Sequence, residues 1–510
     1  MDALLGVDVG TTNTKAVAYS LQGAPLASAS IPTPFVSEGA RRAHQRPEDL
    51  WQATLAAIRT VVASLPPGAR LLGMAVASVG EAGVPLDAAG RPLYPIIAWY
   101  DDRSTPQCAA LVAALGEVGI YRITGLPPTP IFSLNKLLWL RDHEPDVLSR
   151  MARWLCVSDY IAYRLTGEQA MGYSLASRTM AFDLQRRAWS EALLDRAGLR
   201  PNQLPPPHPE GTLVGRVAAS NAAGLPEGLP VFVGGHDHVC GALAVGAFEP
   251  GVVLDSTGTT EAELVALPEV HDYLEAGDLS FSLGCHTARD RYYAIGSILG
   301  AGSTMGWVAG LLWPQEAEEG SEAALQAMTR AAAESPLGAN GLYLLPHLAG
   351  AGAPQRNPTS RGLLAGLHLG HTRGDIARAT FEGMAIELRL LLEALEGYAG
   401  HAIERLVAVG GGARNAVWTQ IKADVLGRAV SVPEHPEAAT LGAAILAGIG
   451  AGAFRDEREA YAELAPPSRA VAPDSERHCA YNALYRRVMA EVRPLAAELG
   501  RRSGATPNAG

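Results

Sequence analysis

Two carboxylates in this chain occupy positions where an acid can do chemistry. Asp8 closes an apolar run, Leu4, Leu5, Val7 and Val9, and is followed by Gly10-Thr11-Thr12 and then Lys15. A buried strand ending on an acid and a tight Gly-Thr-Thr turn presents crowded backbone N–H groups, two hydroxyls and an ammonium. Those groups suit phosphate oxygens, and the acid suits a magnesium ion. An ordinary Gly-Thr hairpin would use the same letters. The second acid, Asp237, follows Val231-Phe232-Val233-Gly234-Gly235, stands between His236 and His238, and precedes the apolar residues 239–245. An acid in that place can cap the following helix. Two flanking imidazoles also leave open a metal site in a hydrolase.

The elements that hold these residues repeat. Residues 251–260 read Gly-Val-Val-Leu-Asp-Ser-Thr-Gly-Thr-Thr, again an apolar strand, an acid (Asp255) and a Gly-Thr-Thr turn containing Gly258 and Thr259. One such hairpin opens each half of the chain, which implies a duplicated domain with a nucleotide between the copies. Residues 406–415 run from an apolar strand into Gly410-Gly411-Gly412 and on to Asn415, ahead of a helical pattern over 417–426. Bare glycines let backbone approach a flat ligand closely. Elsewhere, Pro47-Glu48-Asp49 opens a helix and residues 71–77 read as a strand. Residues 126–141 read as a helix that continues through 151–165 to Gly167, and residues 375–395 as a long amphipathic helix. A last helix is predicted over 475–499, with a flexible polar tail after about residue 500.

Taken in this order, the motifs resemble the FGGY carbohydrate kinases of the actin–hexokinase superfamily, over nearly the whole chain from Leu5 to about Gly450. The resemblance implies an α/β protein of two RNase H-like (actin/hexokinase-type) domains with a cleft between them. It implies a sugar-binding domain over 1–245 that carries the catalytic base, and a nucleotide-binding domain over 246–510. Asp237 falls on the family's catalytic aspartate, and a carboxylate of ordinary pKa, about 4, is already ionised at neutral pH. The family's sugar pocket is lined by the loop holding Glu81 and by the segment Trp99-Tyr100-Asp101, and His238 stands where relatives often carry Asn or Gln. Asp8 is then the magnesium ligand, and Thr11, Thr12, Lys15, Gly258 and Thr259 meet the phosphates. Gly302 lies where relatives meet the nucleotide, and Gly411, Gly412 and Asn415 would contact adenosine. A stretch close to a family signature, Ser133-Leu134-Asn135-Lys136-Leu137-Leu138-Trp139, reads as packing.

The activity implied is ATP-dependent, magnesium-assisted phosphorylation of a small carbohydrate. Glycerol kinases of the family carry Arg-Glu at the first substrate loop and xylulokinases Met-His-Gly; here the residues are Gly80-Glu81-Ala82. The segments around Trp99 and Asp237 are closer to the ketose and gluconate kinase branch. A ketopentose such as xylulose or ribulose is favoured, with gluconate, glycerol or another polyol as alternatives. A non-catalytic nucleotide or sugar sensor on the same fold is the alternative of another class.

Composition limits the partners. The chain has 510 residues, is 48% hydrophobic and carries a formal charge of −11, without a Lys/Arg run longer than a pair. That balance argues against nucleic acid and anionic membranes, and leaves a sugar, ATP and a homodimer as partners. Five scattered cysteines without a C-x-x-C pair, and an N-terminus without a basic leader, point to a reduced, cytoplasmic protein. The apolar run 438–454 is rich in Ala and Gly and reads as a buried helix. There is no G-x-x-x-x-G-K-[ST] and no clean G-x-G-x-x-G after a strand.

Overall fold

The computed structural model describes residues 1–502 except Ala40, 220–223, 271–278 and Pro436. Most of the tail predicted to be flexible lies in 503–510, outside the described residues. The fold is mixed α/β, in two compact units. One comprises Met1–Phe248, Ala266–Ala294 and Glu437–Pro466; the other comprises Glu249–Val265, Ile295–Pro436 and Pro467–Gly510.

The first unit is built on a six-stranded sheet. Its strands are β1 (Asp2–Val9), β2 (Asn13–Ser20), β3 (Pro25–Pro32), β4 (Arg70–Ser78), β5 (Leu213–Arg216) and β6 (Pro230–His236), in the order β5-β6-β4-β1-β2-β3. Strands β1, β4 and β6 run parallel, while β2, β3 and β5 pair antiparallel to their neighbours. Alternation along β1 sends Leu5, Val7 and Val9 into one core, with Leu50, Leu55 and Ile58 of the helix Pro47–Ala63 and Tyr160 and Ile161 of the helix Val157–Thr166. Leu4, Gly6 and Asp8 therefore face the other way. That face receives the helix Ala438–Gly450, whose backbone comes so close that a Cβ on Gly6 would stand 1.8 Å from the Thr440 carbonyl oxygen. The same helix meets the helix Asp237–Ala244, where a Cβ on Gly442 would stand 1.9 Å from the Cys240 carbonyl oxygen. The small residues that made this run look unusual in sequence are what permits both approaches.

One predicted helix is broken. Residues 126–165 do not form one continuous helical stretch: the helices Ser133–His143 and Pro145–Arg150 are followed by a strand, Arg153–Cys156, before the helix Val157–Thr166. The strand pairs antiparallel with Gly83–Leu86, and buried Trp154, Leu155 and Cys156 supply its side chains. A run as short as Trp154-Leu155-Cys156 fits helix or strand equally, and pairing with a distant segment decides it.

In the second unit, β7 (Val252–Thr257), β8 (Glu261–Leu267), β9 (Arg405–Val409), β10 (Val430–Pro433) and β11 (Ser468–Val471) lie in the order β8-β7-β9-β10-β11. Strand β7 pairs antiparallel with β8 and parallel with β9. The core packs Met305, Val308, Met328, Phe381, Met384, Trp418 and Ile421 from the surrounding helices. The long helix, Arg373–Ala399, starts with a capping box in which Thr372 and Asp375 satisfy each other's backbone N–H. None of the five cysteines is in a disulfide. Among the described residues no helix is long and apolar enough to cross a membrane.

Candidate active site

Parallel strands β1, β4 and β6 end together, since Val9 and His236 both register with Ser78. The loops leaving this edge therefore gather Asp8, Glu81 and Asp237 in one place, the usual ligand position of an open α/β sheet. Asp237 is the first residue of its helix, and its Oδ1 accepts the His238 N–H at 2.6 Å. Burial pushes the Asp237 carboxyl above the ordinary carboxylate range, and Glu81 adds to the rise against the His238 N–H and Arg178. Burial also raises Asp8, and the Asp237 carboxylate raises it further. This corrects the expectation of an ordinary, fully ionised base: burial and a neighbouring acid hold back the charge of each carboxyl, Glu81 acting on Asp237 and Asp237 on Asp8.

Asp8 Oδ1 is buried without a hydrogen-bond partner. An orphaned carboxylate oxygen beside a second acid is a donor set that fits a hard divalent cation such as magnesium. The flanking imidazoles do not join that set. Burial drives His236 well below its usual pKa and takes His238 down to about 4, with Arg178 pushing both the same way. Both rings are thus neutral at neutral pH, and they stack with centroids 5.5 Å apart. Among the described residues, no cluster of three metal-ligating groups includes either histidine.

The sugar-loop residues are held from behind. Glu81 has a left-handed φ of 63°, with the Ala82 N–H bonded to the Gly80 carbonyl at 2.7 Å. Such a conformation costs about 1–3 kcal/mol and persists only where neighbours impose it. Here the Glu81 carbonyl accepts from Ser133 Oγ at 3.0 Å and from Lys136 Nζ at 3.1 Å. Lys136 Nζ also donates to the Trp99 carbonyl at 3.2 Å, so one buried ammonium fixes the loops of both Glu81 and Trp99. Its pKa falls to about 7, chiefly because of burial. The signature read as packing therefore also positions polar groups. Trp99 in turn donates from Nε1 to Thr11 Oγ1 at 2.9 Å, which joins the sugar segment to the first hairpin.

Three expected contacts are taken up elsewhere. Asp101 is fully buried, with Oδ1 accepting from the Arg103 N–H and Nε and Oδ2 from the Ala43 N–H and Arg103 Nη2. It braces the loop and has no oxygen left for a sugar. Lys15 is held by both oxygens of Glu437, at 2.7 and 2.9 Å. Asn415 caps the helix Ala416–Leu426 through the Trp418 N–H, and its amide donates to Thr329 at 2.9 Å, so its side chain is spent on structure.

In the second unit, the Gly258 and Thr259 carbonyls accept from the Gly302 and Ser303 N–H groups, each at 3.2 Å. Gly302 is needed for this approach, since a Cβ there would lie 2.3 Å from the Gly258 oxygen. Gly411 is the open position of the triple glycine: a Cβ on it would meet nothing within 4 Å. Below this hairpin lies a group not foreseen in the sequence. Lys422 Nζ bonds to Asp255 at 2.7 Å and to Thr257 at 3.1 Å, and also touches Glu261, all of them buried. The acids Asp255, Glu261 and Glu263 bring ligand oxygens within 4.8 Å of one another, but the cation among them is this lysine.

Arg178, Glu437 and Lys422 were missed because each meets its partner across at least 97 residues of sequence. Arg178 bonds Glu81 through Nε at 2.6 Å and Nη2 at 2.5 Å, so an arginine reaches this loop in space although Gly80 stands there in sequence. A cavity of about 360 Å³ lined by Tyr173, Arg187, Glu210, His286 and Arg291 contains none of the residues named from the sequence.

Residues 3–244 match the model of the N-terminal domain, and residues 256–451 that of the C-terminal domain, of the FGGY family of carbohydrate kinases. A xylulose kinase of Bacillus subtilis (strain 168) is 30% identical over 488 residues, 95% of each chain. A gluconokinase of the same strain is 29% identical over 451 residues, 87% of this chain and 86% of that one. The crystal structure of xylulose kinase from Rhodospirillum rubrum is 33% identical, with a TM-score of 0.87, covering 97% of this chain and 100% of that one.

Proposed function

The chain belongs to the FGGY family of carbohydrate kinases, and from that premise we propose that it transfers the γ-phosphoryl group of ATP to a hydroxyl of a ketopentose such as xylulose or ribulose. The observation that carries the assignment of the chemistry is the pair Asp8 and Asp237, two buried acids at one sheet edge whose pKa values are both raised, that of Asp8 in part by Asp237. The xylulose kinases among the relatives support the acceptor.

In this reading Asp237 orients the attacking hydroxyl and takes its proton, while the neutral His238 beside it accepts or donates one hydrogen bond to the sugar. Glu81 and Trp99 line the acceptor pocket, and Asp101 holds Trp99 in place through the loop it braces. Asp8, with Asp237 across from it, would hold magnesium, which when bound would draw both carboxyls into their ionised forms and offset phosphate charge. Thr11, Thr12, Gly258 and Thr259 present hydroxyls and N–H groups to the phosphates, and Lys15 joins them by leaving Glu437. Gly411 and Gly412 give the adenosine a flat surface. Residues 1–245 thus serve the acceptor and, through the first hairpin, the phosphates, while 246–510 serve the rest of the nucleotide.

The test is ADP release from MgATP over D-xylulose, D- and L-ribulose, L-xylulose, erythritol, D-gluconate, L-fuculose and glycerol. A ketopentose raising turnover well above the sugar-free background is the expected result. Asp237→Asn should lower transfer about 10²–10⁴-fold while ATP still binds; retained turnover would remove Asp237 from the mechanism. A flat panel with ATP binding intact would instead fit a sensor.

A further inference from the structure

Among the described residues, the cations beside the loops that carry Asp8, Glu81, Trp99 and Asp237 include three matched by a carboxylate and a fourth that is not. Arg178 is paired with Glu81, Arg103 with Asp101 and Lys15 with Glu437. The fourth, Lys136, points its ammonium at two backbone carbonyls. Asp8 and Asp237 stand without a cation of their own. With both acids ionised the balance at this edge is negative, and among the described residues none of these guanidiniums is left for an incoming anion.

The Arg178–Glu81 pair is built into the fold. A Cβ on Gly80 would lie 3.1 Å from Arg178 Cβ and 2.7 Å from the His236 ring, so the arginine stem and the ring occupy the space that a side chain at 80 would need. The guanidinium lies over the Phe132 ring at 5.1 Å, and Phe132 directly precedes the helix whose Ser133 and Lys136 clamp the Glu81 carbonyl. Arginine, glutamate and the His236-Asp237-His238 turn are thus locked side by side.

We propose that the Arg178–Glu81 pair is a specificity element that admits neutral ketoses and polyols and refuses sugar acids. This rests on the reading that the acceptor binds beside Asp237. A paired guanidinium and carboxylate offers hydroxyl groups both donors and acceptors without net charge. A sugar acid would bring its carboxylate against Asp8, Glu81 and Asp237 with no free cation to meet it. Removing only the Glu81 charge should release Arg178 as an anion receptor.

The experiment measures kcat/KM for D-gluconate and for D-xylulose, as a ratio within each variant, so that a loss of folded protein cancels. Glu81→Gln should raise the gluconate-to-xylulose ratio at least tenfold. Arg178→Gln, which shifts the charge the other way, should lower it. The double variant Glu81→Gln/Arg178→Gln should return it to within threefold of the parent. A ratio unmoved in both single variants, a double variant that keeps the raised ratio, or a parent that prefers gluconate would overturn the proposal. Calorimetric titration of the two sugars reads the same ratio without turnover. Xylulose binding that responds to Arg178 without ADP release would sink the transfer reading and leave the specificity element standing; a parent that binds neither sugar would sink the element as well.

Discussion

The two Gly-Thr hairpins share a plan and differ in who answers the acid. In the first, Asp8 registers with Lys15 on the paired strand, yet Lys15 turns to Glu437 and the strongest charge felt by Asp8 is another acid, Asp237. In the second, Asp255 registers with Glu263, and Lys422 reaches it from the helix Ala416–Leu426. One hairpin thus keeps a buried acid with an unpartnered oxygen, while the other seals its acid into an interior ion cluster. The local sequence is nearly the same; the difference lies in a single residue brought from more than 160 positions away. A motif of this kind specifies a turn, and the partner specifies its use.

The sharpest way to break the comparison is to neutralise each acid's setting in turn. Asp8→Asn should cost about 10²–10³-fold in transfer, the scale of losing one preorganised charge-stabilising group. Its thermal midpoint should hold or rise, because a repelled carboxyl is gone. A stability loss with activity intact would make the first hairpin a structural copy of the second. Lys422→Met should do the reverse. It strands Asp255 and Glu261 without their cation, at about 3–5 kcal/mol of stability by denaturant titration. An unchanged midpoint would show that the cluster is not held by its charge.

A smaller effect comes from pH. Burial and Asp255 raise the Glu261 carboxyl to about 8, against the pull of Lys422, from 4.5 in the unfolded chain. Between those values the folded state binds the extra proton, so stability should be full below pH 4.5 and fall as pH rises toward 8. Thermal unfolding at pH 5.5 and 8.5 measures this, and Glu261→Gln should flatten the slope; a slope unchanged in that variant would assign it to other groups. The smallest expected change is Trp99→Phe. Loss of the indole bond to Thr11 should cost about 1 kcal/mol, or about fivefold in kcat/KM, with no matching change for substitutions in the second hairpin.

The parts of this molecule legible in sequence are those in which neighbours in the chain are neighbours in space. The strands ending at Val9 and His236, the glycine turns and the helix starting at Pro47 follow from alternation and punctuation within a few residues. That Asp8 and Asp237 stand at the ends of strands was legible for the same reason. What the acids feel was not, since their raised pKa comes from burial first, then from Glu81 beside Asp237 and from Asp237 beside Asp8. Asp101 and Asn415 show the converse. Each polar residue was located correctly, but whether its side chain faces a ligand or its own loop depends on Ala43, Arg103 and Thr329, which no spacing rule links to them. The strand Arg153–Cys156 was lost to a helix because its pairing partner, Gly83–Leu86, lies far upstream.

The late position of the helix Ala438–Gly450 has a consequence for biosynthesis. This helix covers the Leu4-Gly6-Asp8 face of the first sheet and packs on the helix that Asp237 begins. A ribosome must add roughly 200 residues after that earlier helix before the cover exists, and at about 5–20 residues per second the delay is about 10–40 s. Through that interval the growing chain carries a finished strand order with one bare face, a ready client for chaperones. The acid pair can mature only once residues 438–450 have been read.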